Sequence, residues 1–219
     1  MHEDDPGAPI DTDLPARVRS PSGLVGRGPQ LRAIHDILCG DTSPAVLLIT
    51  GGPWIGKSSL VSEYARSHRN AYPGGIFWLG PFGHHPPEDF LSRFHLDLAR
   101  VATERFGLDV RGTPLTRLRQ VAADRLSATR ALVIIDDLPV DLPPSVLDQL
   151  PIPSGQVATM LTSRAEMRAW WAPSMELEGL TPHDSLELFS AAKAPMDGED
   201  RETVFRFAER CSGRPGVLR

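Results

Sequence analysis

Short apolar runs alternate along this chain with longer stretches in which apolar residues recur every three or four positions, a pattern that predicts parallel strands wrapped by helices. Strands are expected at Ala45 to Thr50, Gly75 to Leu79, Ala131 to Asp136 and Gln156 to Thr162, with a short fifth at Ser174 to Leu177. Runs such as Val46-Leu47-Leu48-Ile49 and Leu132-Val133-Ile134-Ile135 are apolar on both alternating faces, so they read as strands covered on both sides. Helical periodicity fills the intervals at Arg27 to Cys39, Lys57 to His68, Pro87 to Phe106 and Pro114 to Ala128. Residues 1–20 show no such period. Rich in Asp, Pro and Gly, they are expected to form a disordered acidic arm or linker. No internal repeat is visible.

With 219 residues, 41% of them hydrophobic and 23% charged, the chain can bury a substantial core within one domain. It has neither an apolar run long enough to cross a bilayer nor an apolar segment near its start, so no membrane span or signal peptide is expected and the expected location is the cytoplasm. Cys39 and Cys211 lack metal or redox spacing and read as reduced thiols. A net charge of −5 makes nucleic acid a partner that is not expected, because neutralising phosphates takes a concentrated basic surface. Basic residues are nearly all arginine, the two lysines being Lys57 and Lys193.

Lys57 belongs to Gly51-Gly52-Pro53-Trp54-Ile55-Gly56-Lys57-Ser58, which fits G-x-x-x-x-G-K-[ST] between a strand and a helix. In such a P-loop the backbone N–H groups face phosphates, the lysine reaches the β- and γ-phosphates, and the hydroxyl helps hold Mg2+. Gly51, Gly52, Pro53, Trp54, Ile55, Gly56, Lys57, Ser58 and the following Ser59 are therefore candidate nucleotide-binding residues, with Ser58 also a metal candidate. The competing reading is a glycine-rich turn that fits the pattern by chance. Trp54 stands where many such loops place glycine, an awkward position for a side chain if the backbone takes positive φ. Pattern and motif together predict an α/β, three-layer P-loop NTPase with a five-stranded parallel sheet in the order 2-3-1-4-5.

The third strand runs from apolar residues straight into Asp136-Asp137, which places two carboxylates at the sheet's C-terminal edge, where open α/β sheets bind ligands. Asp136 is the expected Mg2+ partner, through water, and Asp137 the expected orienter or base for an attacking water. Taken without the P-loop, the pair reads equally as a cap on the turn before Leu138-Pro139. After the fourth strand, Thr162-Ser163-Arg164 puts a polar residue and an arginine beside the loop, a candidate sensor of the γ-phosphate; the alternative is a solvated arginine at a helix start. Lys57, Asp137 and Arg164 are the candidate catalytic residues.

From Leu24 to the last residue these motifs resemble the NB-ARC nucleotide-binding domain of the STAND class of P-loop ATPases, of the bacterial signalling type. Leu24-Val25-Gly26-Arg27 with Gln30-Leu31 resembles the family's entry motif. Ile76-Phe77-Trp78-Leu79 resembles its second strand, Ile134-Ile135-Asp136-Asp137 its acidic strand and Leu161-Thr162-Ser163-Arg164 its arginine sensor. Leu177-Glu178-Gly179-Leu180 with Ser185-Leu186-Glu187-Leu188-Phe189 is similar to the segment entering the next lobe. Cys211-Ser212-Gly213-Arg214-Pro215 is similar to the start of a Gly-x-Pro motif. The resemblance implies that Val25 and Arg27 lie near adenine and ribose and that Pro215 packs on adenine. It also implies ATP/ADP and Mg2+ as cofactors, slow ATP hydrolysis by a signalling switch, and protein partners or self-association. Residues 21–180 are then the nucleotide-binding domain and 181–219 the start of a helical lobe that stops short of a winged-helix lobe. The alternatives are a nucleic-acid-associated P-loop ATPase and a degenerate scaffold that does not hydrolyse ATP.

Other conspicuous residues read as structural. His84-His85 is expected to be a polar loop and not a metal site. Trp170 and Trp171 are expected on a short helix covering the sheet, and Arg117, Arg119 and Arg125 on a solvated helix face.

Overall fold

A computed structural model describes residues 24–40, 45–167, 169, 171–192 and 198–218, so the N-terminal arm, Trp170 and Lys193 lie outside the described residues. The strands are β1 (Val46–Thr50), β2 (Ile76–Leu79), β3 (Ala131–Leu138), β4 (Val157–Ser163) and β5 (Ser174–Glu176). They alternate with the helices α1 (Gly28–Cys39), α2 (Lys57–Ser67), α3 (Phe90–Phe106), α4 (Leu115–Arg125) and α5 (Pro144–Leu147). Three further helices follow: α6 (Pro182–Ala192), α7 (Gly198–Arg210) and α8 (Pro215–Leu218). The periodic stretch expected from Pro87 begins as a 3-10 turn at Pro87–Asp89, and α3 proper starts at Phe90.

All four strand pairings are parallel, as the apolar runs imply. The order is β2-β3-β4-β1-β5, so β4 stands between β3 and β1 where the expected order 2-3-1-4-5 set β1 beside β3. Burial does not separate the two orders, since β1 and β4 are both buried throughout and are interior strands in either; it marks only β5, which keeps exposed residues, as an edge.

Alternation along the strands divides the core into two layers. Val46, Leu48, Phe77, Leu79, Val133, Ile135, Val157 and Leu161 pack with Phe90, Phe94 and Leu98 of α3 and Leu118 and Ala122 of α4. Leu47, Ile49, Ile76, Trp78, Leu132, Ile134, Ala158 and Met160 pack with Ile34 and Leu38 of α1 and Leu60, Val61 and Tyr64 of α2. The result is the expected three-layer arrangement. A separate cluster of Leu180, Leu188 and Ala208 joins the segment after β5 to α6 and α7.

Trp171 is in a turn and not on a helix; its indole N–H donates to Asp148 and its ring packs against the α3/α4 core. On α4, Arg119 is not solvated, since it donates to the Pro151 carbonyl, and Arg125 lies over the Phe106 ring at 5.7 Å.

Candidate nucleotide-binding site

The loop between β1 and α2 is bent by residues with positive φ: Gly51 (143°), Trp54 (65°) and Gly56 (98°). At Gly51 a Cβ would sit 2.6 Å from the Leu177 carbonyl oxygen, so glycine is needed for space as well as for conformation. Trp54 adopts the left-handed conformation without glycine's freedom, and its ring stays exposed. Its carbonyl accepts from Gly216 N–H at 3.0 Å, which ties the loop to α8.

Lys57 opens α2 and is buried; its amine donates to the Gly51 carbonyl (2.6 Å) and the Gly52 carbonyl (2.9 Å). Burial holds its pKa below the ordinary lysine value. Asp137 and Asp136 act the other way, and Arg164 adds to the lowering. A buried cation that rests on its own loop carbonyls suits an arriving phosphate, which can take their place as acceptor.

Ser58, the next residue, donates to Asp136 Oδ1 at 2.9 Å, and Thr162 Oγ1 donates to the same oxygen at 2.8 Å. Asp136 is 1% exposed, so these bonds stabilise a carboxylate withdrawn from water. The hydroxyl of Ser58 and the carboxylate of Asp136 are hard oxygen donors in contact, a donor set that fits Mg2+. Asp137 lies at positive φ (58°), and Arg164 grips its carboxylate with Nε (2.8 Å) and Nη2. That two-pronged hydrogen bond raises the Arg164 pKa. Gly83 leaves the room for this pair, because a Cβ there would collide with the Asp137 carboxylate.

Arg27 is buried, and one of its terminal nitrogens donates to the Ile55 carbonyl (3.2 Å) in the loop and the Glu178 carbonyl (2.7 Å) after β5. Burial lowers its pKa and Asp184 partly offsets this. Beyond Glu178 the chain crosses residues 212–213 at close range. A Cβ on Gly179 would overlap the Ser212 carbonyl, one on Gly213 would overlap the Leu180 carbonyl, and Leu180 N–H donates to Gly213 at 2.8 Å.

These elements enclose a cleft of about 500 Å3, within the range of small-molecule sites. Val25, Arg27, Pro53, Trp54, Ile55, Gly56, Lys57, Ser58, Ser59, Asp136, Asp137, Arg164 and Pro215 all line it, so the sequence candidates converge on one space. Gly51 and Gly52 stand behind the lining as acceptors for Lys57. Sequence reasoning missed Leu180 and Leu188, which line the cleft along with Leu24, and His84, which was read as ordinary loop. It read Thr162 only as part of the candidate γ-phosphate sensor and missed its hydrogen bonds to the two acids, although a polar residue ending a buried strand beside them was a usable signal. Among the described residues no group of three or more His, Cys, Asp or Glu is placed to hold a metal ion. No described helix is long and apolar enough to cross a membrane.

No protein-family model and no curated protein sequence matches the chain. Solved structures do. A STAND protein with a tetratricopeptide repeat sensor from Pyrococcus horikoshii superposes with a TM-score of 0.59 at 23% identity, covering 96% of this chain and 31% of that one. Cdc6p from Pyrobaculum aerophilum gives 0.61 at 12% identity, covering 94% and 63%. Drosophila ORC, solved bound to DNA, gives 0.58 at 14% identity, covering 94% and 61%. The chain thus spans about a third of the first protein and under two thirds of the other two. With a DNA-bound structure among them, the comparisons give no support to the expectation that set nucleic acid aside. They show the fold: this chain shares the three-layer α/β architecture of these proteins.

Proposed function

We propose that the chain is the nucleotide-binding core of an ATP/ADP-dependent signalling switch of the STAND type, with slow hydrolysis. The observation that carries this reading is the convergence of Lys57, Ser58, Asp136, Asp137 and Arg164 on one cleft, at the C-terminal ends of three adjacent strands. Lys57 and the loop amides would hold phosphates, and Ser58 with Asp136 would hold Mg2+, which supplies charge neutralisation at the phosphate oxygens. The apolar end formed by Leu24, Val25, Leu180, Leu188 and Pro215 would take the base, adenine by the family resemblance.

Arg164 and Asp137 occupy each other in this structure. To act on a terminal phosphate, Arg164 exchanges Asp137 for a phosphate oxygen, and Asp137 is then released to orient and deprotonate water. Turnover is slow because that exchange has to come first, and the bound nucleotide sets the balance between the two pairings. Residues 21–180 form the nucleotide-binding domain in this reading, and 181–219 begin a helical lobe whose partners are further protein segments or other copies.

The test is a thermal-shift titration with ADP, Mg-ATP, GDP and Mg-GTP on the native chain and Lys57→Ala. Stabilisation by adenine nucleotides that disappears in the variant supports the switch, and no shift with any nucleotide favours a scaffold. The DNA-bound neighbour motivates a second reading, a nucleic-acid-associated ATPase, for which salt-sensitive DNA binding by this chain is the deciding measurement.

A further inference from the structure

Two consecutive carboxylates on one strand should point to opposite faces of the sheet, yet Asp136 and Asp137 both line the same cleft. A bulge resolves the conflict. Ile135 pairs with Leu161 and Leu138 with Ser163, so β3 takes three steps where β4 takes two. The core confirms the change of phase: Leu138 packs on the α3/α4 side, while Leu132 and Ile134, which share its parity, face α1 and α2. The inserted residue leaves the ladder, and Asp137 N–H is accepted instead by Thr162 Oγ1 at 2.7 Å. The same hydroxyl gives its proton to Asp136 Oδ1 at 2.8 Å. Thr162 is fully buried, and its one donor and one of its acceptor sites are thereby committed to the two acids.

We infer that Thr162 is the positioning residue of this site. Its hydroxyl fastens the bulge through which one strand delivers both the metal-holding and the water-orienting carboxylate to a single cleft. Ser58 and Thr162 converge on one oxygen of Asp136 from α2 and β4, so the carboxylate is fixed from two elements before any ligand arrives. The inference rests on the nucleotide reading for the metal, whereas the bulge itself does not depend on that reading.

The experiment compares the native chain with Thr162→Val, close in shape but without the hydroxyl, and Thr162→Ser, which keeps it. Amide hydrogen exchange followed by NMR reads the bulge directly. Asp137 N–H should be protected in the native chain and Thr162→Ser, and should exchange at least about tenfold faster in Thr162→Val while Ile134 and Ile135 stay protected. Thermal shift with ADP at rising Mg2+ reads the site. Thr162→Val should need at least about tenfold more Mg2+ for half its nucleotide-dependent shift, with ADP affinity in EDTA unchanged and Thr162→Ser restoring the native requirement.

An Asp137 amide as protected in Thr162→Val as in the native chain would overturn the inference. So would an unchanged Mg2+ requirement, or a serine variant as impaired as the valine, since keeping the hydroxyl would then restore nothing. If the native chain responds to no nucleotide with or without Mg2+, the nucleotide reading fails and the Mg2+ part of the inference falls with it; the exchange measurement still decides the bulge.

Discussion

The two ends of the cleft are built differently. At the phosphate end, functional groups come from strands buried on both faces and from the first turn of α2, and the buried Asp136 is hydrogen-bonded from two neighbouring elements. The wall formed by Leu180, Leu188 and Pro215 rests instead on a buried cluster of three residues, Leu180, Leu188 and Ala208, and on a backbone crossing that two glycines permit. The first region is a prebuilt floor, and the second is a roof whose hold depends on a few contacts. Local stability follows buried apolar contacts, so a ligand that bridges the two should order the roof more than the floor.

The sharpest attack on the floor is Asp137→Asn. Turnover should fall by about 100-fold or more, as for the loss of a general base, while Mg-ATP affinity stays near native; equal turnover in steady-state assays would remove Asp137 from that role. Lys57→Ala comes next, with a loss of nucleotide affinity of about 100-fold, the scale of two charge-assisted hydrogen bonds; calorimetric titration showing unchanged affinity would mean that the phosphates bind elsewhere. For the roof, Gly213→Ala combines positive φ (61°) with a collision at the Leu180 carbonyl. It should loosen residues 198–218 by about 1–3 kcal/mol, visible as faster amide exchange in α7 with β3 and β4 unaffected. A uniform loss of protection across the sheet would erase the distinction between floor and roof. The smallest effect is expected from Trp54→Gly, which relieves left-handed strain but gives up the ring's packing against Gly216, so denaturant unfolding should change by less than about 1 kcal/mol.

Floor and roof also differed in how far the sequence disclosed them. The glycine-rich loop is legible because its chemistry demands fixed local spacing from Gly51 to Ser58, and the buried strands are legible because both faces must be apolar. Strand order was not, because parallel runs of Val, Ile and Leu do not encode which run lies beside which; the position of β4 came only with the fold. The bulge at Asp136 and Asp137 escaped for a related reason: a one-residue change of phase at a strand end is invisible to a period-two pattern. His84 reached the cleft through a loop whose path no periodicity predicts. The roof was recognised through motif resemblance, and its close crossing of Gly179 with Ser212 and Gly213 has no local signature that propensity could supply.

Arg27 joins these two regions in a way that has a mechanical consequence. One buried guanidinium nitrogen holds a carbonyl of the phosphate loop and a carbonyl of the strand-to-roof connection. The two parts therefore behave as a joint with a threshold and not as a loose hinge. Small displacements are resisted, because abandoning the Ile55 carbonyl leaves a buried polar group unsatisfied. A displacement large enough to break one bond meets no further resistance from that bond, so the hold of Arg27 fails abruptly and does not weaken in proportion to the movement.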